Sequence, residues 1–505
     1  MKKIAVFAGI CLMWVLPAGS EEVHSHPPPE KLGKVSFPTS CAPSVAHDFE
    51  RSVALLHSFA YAASEQSFRK VAAADPNCAM AHWGIAMSYY HQLWSPPTAA
   101  EMRDGELETK EAGTLKATPR ERQFLAAAAA YYAEPIQAPP LRAKAYADAM
   151  AQAARSNPED TEAQVFYALS LIATAPPEDA THANQKRAAA ILERVYRAQP
   201  DHPGAAHYLI HAYDSAELAP RGLAAARAYS KIAPSAPHAL HMPSHIFTRL
   251  GLWDDSIVSN KAARAAAHDQ GDQGEELHAM DYLTYAYLQR GRTADAQRVV
   301  AELRTMGAAA GQGSDFKIGY AATAMPVRLA IERHAWSEAL ELQTLPGSAP
   351  HVAALVFWAR AMASTRSGQP AAADADIAQI AAAREQLKAA GNGYWATQVD
   401  VLEKEARAWQ LAASSNPKES VQLLRQAADE EDAVEKLPVT PGPVVPAREQ
   451  LGELLLQLNQ PADALREFRA ALVLAPVRRG ALLGGAQAAE RAGDNQTAQQ
   501  MRAKL

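Results

Sequence analysis

From Val45 onward the apolar residues recur every three to four positions, in segments rich in Ala and Leu, as on one face of a helix. The strict alternation of a half-buried strand is nearly absent. The helical segments come in pairs, with Pro or Gly between many of them. An all-α chain of antiparallel helix pairs is therefore expected. Two stretches before Val45 follow other patterns. Ile4 to Leu16 is an unbroken apolar run behind Lys2 and Lys3, closed by Pro17-Ala18-Gly19-Ser20. Residues 21–44 contain Pro27-Pro28-Pro29 and no helical period, and read as an extended leader.

Self-similarity sharpens the expectation. The clearest unit runs from Arg448 to Pro476, REQLGELLLQLNQPADALREFRAALVLAP. Gly452 stands where two helices cross, while Ala464, Phe468 and Ala471 pack the second helix on the first. Pro476 closes the unit, and a further one follows with Gly493 and Ala498. Pro200 and Pro234 are 34 residues apart, as are His207 and His241, and His211 and His245. Gly251, Gly291 and Gly368 each stand at the close of a first helix. This spacing resembles the 34-residue tetratricopeptide pattern. The resemblance implies a right-handed superhelical solenoid whose first helices line a concave surface. The expected division is a signal peptide at 1–20, the leader at 21–44, and a solenoid at 45–430. Irregular insertions are expected near 90–119 and 306–325, an acidic, Pro-rich linker at 431–446, and C-terminal repeats at 447–505.

Composition narrows the function. A formal net charge of −6 and no basic patch argue against nucleic acid as the main partner. The apolar run 4–16 is shorter than the ~20 residues that span a bilayer. A cleaved signal peptide is preferred to a membrane anchor, with the chain exported to the periplasm or outside the cell. Cys11 lies within the run, which leaves Cys41 and Cys78. In an exported chain two cysteines favour one disulfide over free thiols or soft metal ligands.

Histidine carries the most chemical information. There are 17, and HxxxH occurs twice, as His207/His211 and His241/His245. Residues four apart share a helical face, and the 34-residue offset puts both pairs at equivalent points of adjacent units. By the tetratricopeptide register these four point inward, Asp281 follows at the equivalent place in the next unit, and His82 is the candidate from the N-terminal side. Asp214 could serve as ligand or as outer partner. Neutral imidazole suits Zn, Cu, Ni or Fe, so one transition-metal ion (Zn, Cu or Fe) is the expected cofactor. The bland alternative is histidines that satisfy hydrogen bonds between helices. His24 and His26 belong to the leader. Pro243 falls between His241 and His245. Either the helix is kinked there, or it begins near Met242 and Pro243 lies in its first turn.

HExxH, GxSxG, GxGxxG, a phosphate-binding loop and CxxC are all absent. The segments FERSVALLHSFAYAASEQSFRKVAAADPNCAMAHWGIAMSYY, AAHYLIHAYD and HALHMPSHIFTRLGLWDDSI resemble a group of exported bacterial tetratricopeptide-like proteins. That resemblance implies export and repeat architecture and transfers no catalytic residue. The leading expectation is a binding protein whose histidine-lined groove takes a peptide, a protein or a small ligand. The alternatives are a metal-dependent enzyme, redox or hydrolytic, and an assembly scaffold without a chemical site.

Overall fold

The computed structural model describes residues 30–93, 96–133, 138–306 and 316–505. The apolar run 4–16, His24, His26, Trp94 and Gly311-Gln312-Gly313 lie outside them. Among the described residues there are 25 α-helices and no β-strand. Consecutive helices pack on one another along the chain, from Ala46–His57 to Asn495–Arg502. The fold is an all-α solenoid of helix pairs. Its apolar interior runs from Leu32 through Phe247, and onward through Trp253 and Leu329 to Met501.

The punctuation residues set the helix boundaries. Pro203 and Pro237 open helices Pro203–Ala212 and Pro237–His241, where a missing N–H costs nothing. Gly251 and Gly291 turn the chain between paired helices with φ of +68° and +67°, a region that L-residues with a Cβ resist. Gly452 allows its helix to cross the next, since a Cβ there would come within 2.8 Å of the Phe468 ring. Pro243 does break a helix. Pro237–His241 and Pro243–Arg249 are separate segments joined at Met242, and the His245 amide reaches back only to the Met242 carbonyl, at 3.1 Å.

Two non-helical segments are integral to the packing. Residues 31–44 run over the first units. The Lys34 amide donates to the Asp201 carbonyl (2.9 Å), and Phe37 is buried among Phe49, Trp83 and Phe124. The Cys41 and Cys78 sulfurs are bonded, with Cα atoms 4.6 Å apart, which ties this segment to the turn before helix Ala79–Tyr89. In the span 90–119, helix Ala99–Thr114 is opened by a Thr98/Glu101 capping box.

The segment expected to be a linker is a strap. Glu431 and Asp432 still belong to helix Pro417–Asp432. Beyond them Val439, Thr440 and Val444 are buried. Pro438, Pro441, Pro443 and Pro446 have no N–H, so the strap brings few donors inside and mostly carbonyls. Buried Arg328 serves several of these. It donates to the Pro443 and Gly442 carbonyls (2.9 and 2.7 Å), to Thr440 Oγ1 (2.8 Å) and to Asp281 Oδ1 (3.0 Å). The Tyr282 hydroxyl reaches the Thr440 carbonyl at 3.1 Å, and Arg478 reaches that of Val444 at 3.3 Å. Acidic and Pro-rich composition is shared by solvated linkers and by such straps. The arginines that tell them apart lie more than a hundred residues before the strap and some thirty beyond it.

Candidate metal centre

Both HxxxH pairs meet in the interior. His207 and His211 project from Pro203–Ala212, and their ring centres are 4.8 Å apart. His241 and His245 span the break at Met242 and lie 5.0 Å apart. The pairs approach each other through His211 and His245, at 6.0 Å. All four are buried. Two further histidines complete the group. His238 lies 5.0 Å from His207 and 6.1 Å from His241, and His278 lies 4.4 Å from His241. Three described groups of histidine and carboxylate place their ligand atoms within 4.8 Å of one another, a geometry consistent with metal binding: His207/His211/His238, His241/His245/His278 and His57/Glu162/His202.

Hydrogen bonds separate these groups chemically. In the third, every ring nitrogen has a complementary partner. The Ala205 amide donates to His202 Nδ1, so His202 Nε2 donates to Glu162 (3.0 Å). His57 Nε2 donates to the same carboxylate (2.8 Å), and its Nδ1 accepts from the Tyr208 hydroxyl (2.9 Å). Burial alone would raise the Glu162 carboxyl, but His57 and His202 beside it hold it well below its ordinary range. This is a closed hydrogen-bond network. It also fixes the His57 backbone, whose carbonyl accepts from His207 Nδ1 at 2.6 Å.

The other pairs are arranged differently. The Asn260 amide nitrogen donates to the Ser256 carbonyl, which leaves Asn260 Oδ1 to accept from His241 Nδ1 (2.7 Å). His245 Nδ1 donates to Asp214 Oδ2 (2.9 Å). Each ring therefore carries its hydrogen on Nδ1, and the two Nε2 lone pairs face each other at 3.0 Å. His207, oriented by the His57 carbonyl, likewise turns its Nε2 lone pair toward His211 Nε2, at 3.1 Å. Outer acceptors that fix the tautomer and aim the opposite nitrogen inward are the usual second layer of a metal site.

Burial sets the charge state. It pushes His207, His211, His241 and His278 well below the usual imidazole value, and His245 to about 4. Burial would raise Asp214, but Lys436 (3.0 Å) and Arg249 (2.8 Å) hold it well below its ordinary value. These five rings are thus neutral imidazole beside the ionised Asp214 at neutral pH.

Two of the candidates from the sequence lie elsewhere. Asp281 is buried against Arg328, and its Oδ2 meets no hydrogen-bond partner. The equivalent place in the next unit presumes a first helix of ordinary length. Gln273–Gln289 has 17 residues against 10 in Pro203–Ala212, so the face that meets His241 carries His278 and Tyr282 instead. His82 is part-exposed, 2.6 Å from Glu108, and belongs to none of the grouped histidines. His238 carried a readable signal, since it stands three residues before His241 on the same face.

The cluster has an approach. A cavity of ≈ 670 Å³ is lined by Tyr90, Ile172, His182, His211, Asp214 and Lys436, among others. Trp83 and Tyr208 stand back from it. Trp83 is buried between Phe37 and Phe166, and Tyr208 is bonded to His57.

The fold defines the class, an all-α, tetratricopeptide-like solenoid of helix pairs. No family model and no curated protein matches the chain. Among solved structures it is similar to the human IFIT1 dimer with m7Gppp-AAAA, at 14% identity and a TM-score of 0.38, covering 84% of this chain and 89% of that one. It is similar to yeast Tom70 at 10% identity and a TM-score of 0.32, covering 88% of each. The P58(IPK) TPR domain follows at 13% identity and a TM-score of 0.24, covering 90% of this chain and 99% of that one. At these values the likeness transfers no ligand and no role.

The expectation of export is corrected. The apolar run on which it rested lies outside the described residues, and no described helix is long and apolar enough to cross a membrane. Two lysines and a short apolar run are a matter of composition, which does not fix a destination. The signal-peptide, periplasmic, secreted and bacterial assignments are dropped.

Proposed function

We propose that this chain is a metal-dependent binding protein, in which the histidine cluster of His207, His211, His241 and His245 holds transition metal behind the ≈ 670 Å³ cavity that His211 lines, and a small ligand enters from that cavity. The carrying observation is the pair of Nε2 lone pairs 3.0 Å apart in His241 and His245, each with its Nδ1–H committed outward. Two lone pairs at that distance repel unless a cation lies between them. The donors fit: they are imidazoles, which suit Zn, Cu and Fe. When bound, such an ion supplies a Lewis-acid position for a ligand oxygen or nitrogen. The protein's own groups do the rest. Asn260, Asp214 and the His57 carbonyl orient the rings, and burial keeps them unprotonated.

A small ligand is favoured over a peptide because the strap already lies across helices Gln273–Gln289, Phe316–Glu332 and Gly393–Ala413. The catalytic alternative rests on the same cavity, since it opens beside His211 and Asp214. The test is elemental analysis of purified chain beside a His207→Ala/His241→Ala variant. Stoichiometric Zn, Cu or Fe that disappears in the variant is the expected outcome. Folded wild-type chain that takes up no metal on dialysis against each of these ions would remove the reading.

A further inference from the structure

We infer that the centre is built for two metal ions, one in each of the histidine triads His207/His211/His238 and His241/His245/His278. The inference rests on the metal-binding reading above and deepens it. Each triad is assembled in the same way. An i,i+4 pair supplies two imidazoles, from one helix in His207/His211 and across the break at Met242 in His241/His245, and the first helix of the next unit supplies the third. Within each triad the ligand nitrogens lie within 4.8 Å of one another. Imidazole nitrogens about 2.0–2.1 Å from a shared ion stand roughly 3.3–3.5 Å apart in tetrahedral geometry, so small ring rotations complete either site. The repeat itself generates the duplication. The pairs are related by the 34-residue offset, and each third histidine comes from the first helix of the next unit.

One ion cannot use all six rings. His207 is at one end, packed on Tyr229 at 5.0 Å, and His278 is at the other, packed on Tyr282 at 5.3 Å. Each triad also has its own outer carboxylate. Glu275 accepts from His238 Nδ1 at 3.0 Å, and Asp214 accepts from His245 Nδ1 at 2.9 Å. These carboxylates face other cations as well, Lys317 at Glu275 and both Lys436 and Arg249 at Asp214. Six neutral ligands and two matched carboxylates leave a pair of divalent ions largely uncompensated in a buried site. The ligand that completes such a centre is therefore a small anion with oxygen donors, and Lys436 stands in the cavity wall on its approach.

The experiment is metal stoichiometry on the full chain. Protein is stripped with chelator and dialysed against Zn(II), in a His24→Ala/His26→Ala background that removes the leader histidines from the count. Two equivalents per chain are expected in the parent, with one each remaining in His238→Ala and His278→Ala. Titration with Co(II) should likewise break at two equivalents. One equivalent in the parent, lost in both single variants, overturns the two-ion inference and leaves the metal reading standing. No bound equivalent in folded parent overturns both. The parent stoichiometry is independent of how the variants fold, and circular dichroism of each variant accompanies its count.

Discussion

What a buried histidine meets at its two nitrogens decides its role. His57 and His202 meet complementary groups at both, and His57 is so close to its neighbours that a Cβ on Gly204 would come within 2.5 Å of it. His241 and His245 meet complementary groups on one side only. His351 is a third kind. It stacks on Trp395 at 4.1 Å, neither ring nitrogen has a hydrogen-bond partner, and burial holds its pKa at about 4. Its folded value is below the unfolded value of ~6.5. Its neutral form is therefore matched between the two states above pH 6.5. As pH falls from 6.5 toward 4 the unfolded chain takes up a proton that the folded chain refuses, and stability is lost. The loss reaches about 2 kcal/mol by pH 5. His351→Phe keeps the stack and removes the proton, so its thermal midpoint relative to wild type should rise more at pH 5 than at pH 7.5. An equal difference at both pH values would refute this account. Residue-scale legibility followed the same line. The His207/His211 pair could be read because one helix fixes its face, and His241/His245 through the 34-residue offset from it. His278 could not, because its phase depends on a helix longer than the repeat average.

At the scale of elements, helices and their partners were readable because Pro, Gly and the apolar period act locally. Phe468 against Gly452 and the turns at Gly251 and Gly291 needed nothing from afar. The strap was not readable, because its partners Arg328, Tyr282, Tyr394 and Arg478 are distant in sequence and a carbonyl-rich coil has no period. Its burial has a direct consequence. Lys436, inside a segment that as a free linker would be cut readily, is 3.0 Å from Asp214 and nearly covered, with 9% of its side chain exposed. Native chain should resist trypsin at Lys436, while the exposed Lys418 or Arg466 is cut first. Arg328→Leu removes the donor shared by Asp281 and three strap acceptors. Loss of one partner of a buried pair costs about 3–5 kcal/mol, so cleavage at Lys436 should appear at lower temperature in this variant. Rapid cleavage there in the wild type would show that the strap is not held as described.

At the scale of the molecule, a solenoid has contacts mainly between neighbours, so covalent and metal ties added to those contacts carry weight beyond their size. The Cys41–Cys78 bond closes a loop of 37 residues at one end, and in the chain-entropy account a loop of that length is worth about 4 kcal/mol. The histidine cluster is a second tie, since it joins helices of three successive units, Pro203–Ala212, Pro237–His241 with Pro243–Arg249, and Gln273–Gln289. An ion that binds only the folded cluster stabilises it by about 4 kcal/mol when free metal exceeds the dissociation constant a thousandfold. The two ties share no residue and sit in different units, so their effects should add within about 0.5 kcal/mol. Zinc should therefore raise the thermal midpoint of stripped protein by the same amount in the wild type and in Cys41→Ser/Cys78→Ser. The cysteine variant should melt lower at every zinc concentration. A zinc-induced rise that vanishes with the disulfide would mean that the metal acts at the cysteine end of the chain and not at the histidines. A rise that survives there but is abolished by His207→Ala/His241→Ala assigns the stabilisation to the cluster, where an ion bridges adjacent units.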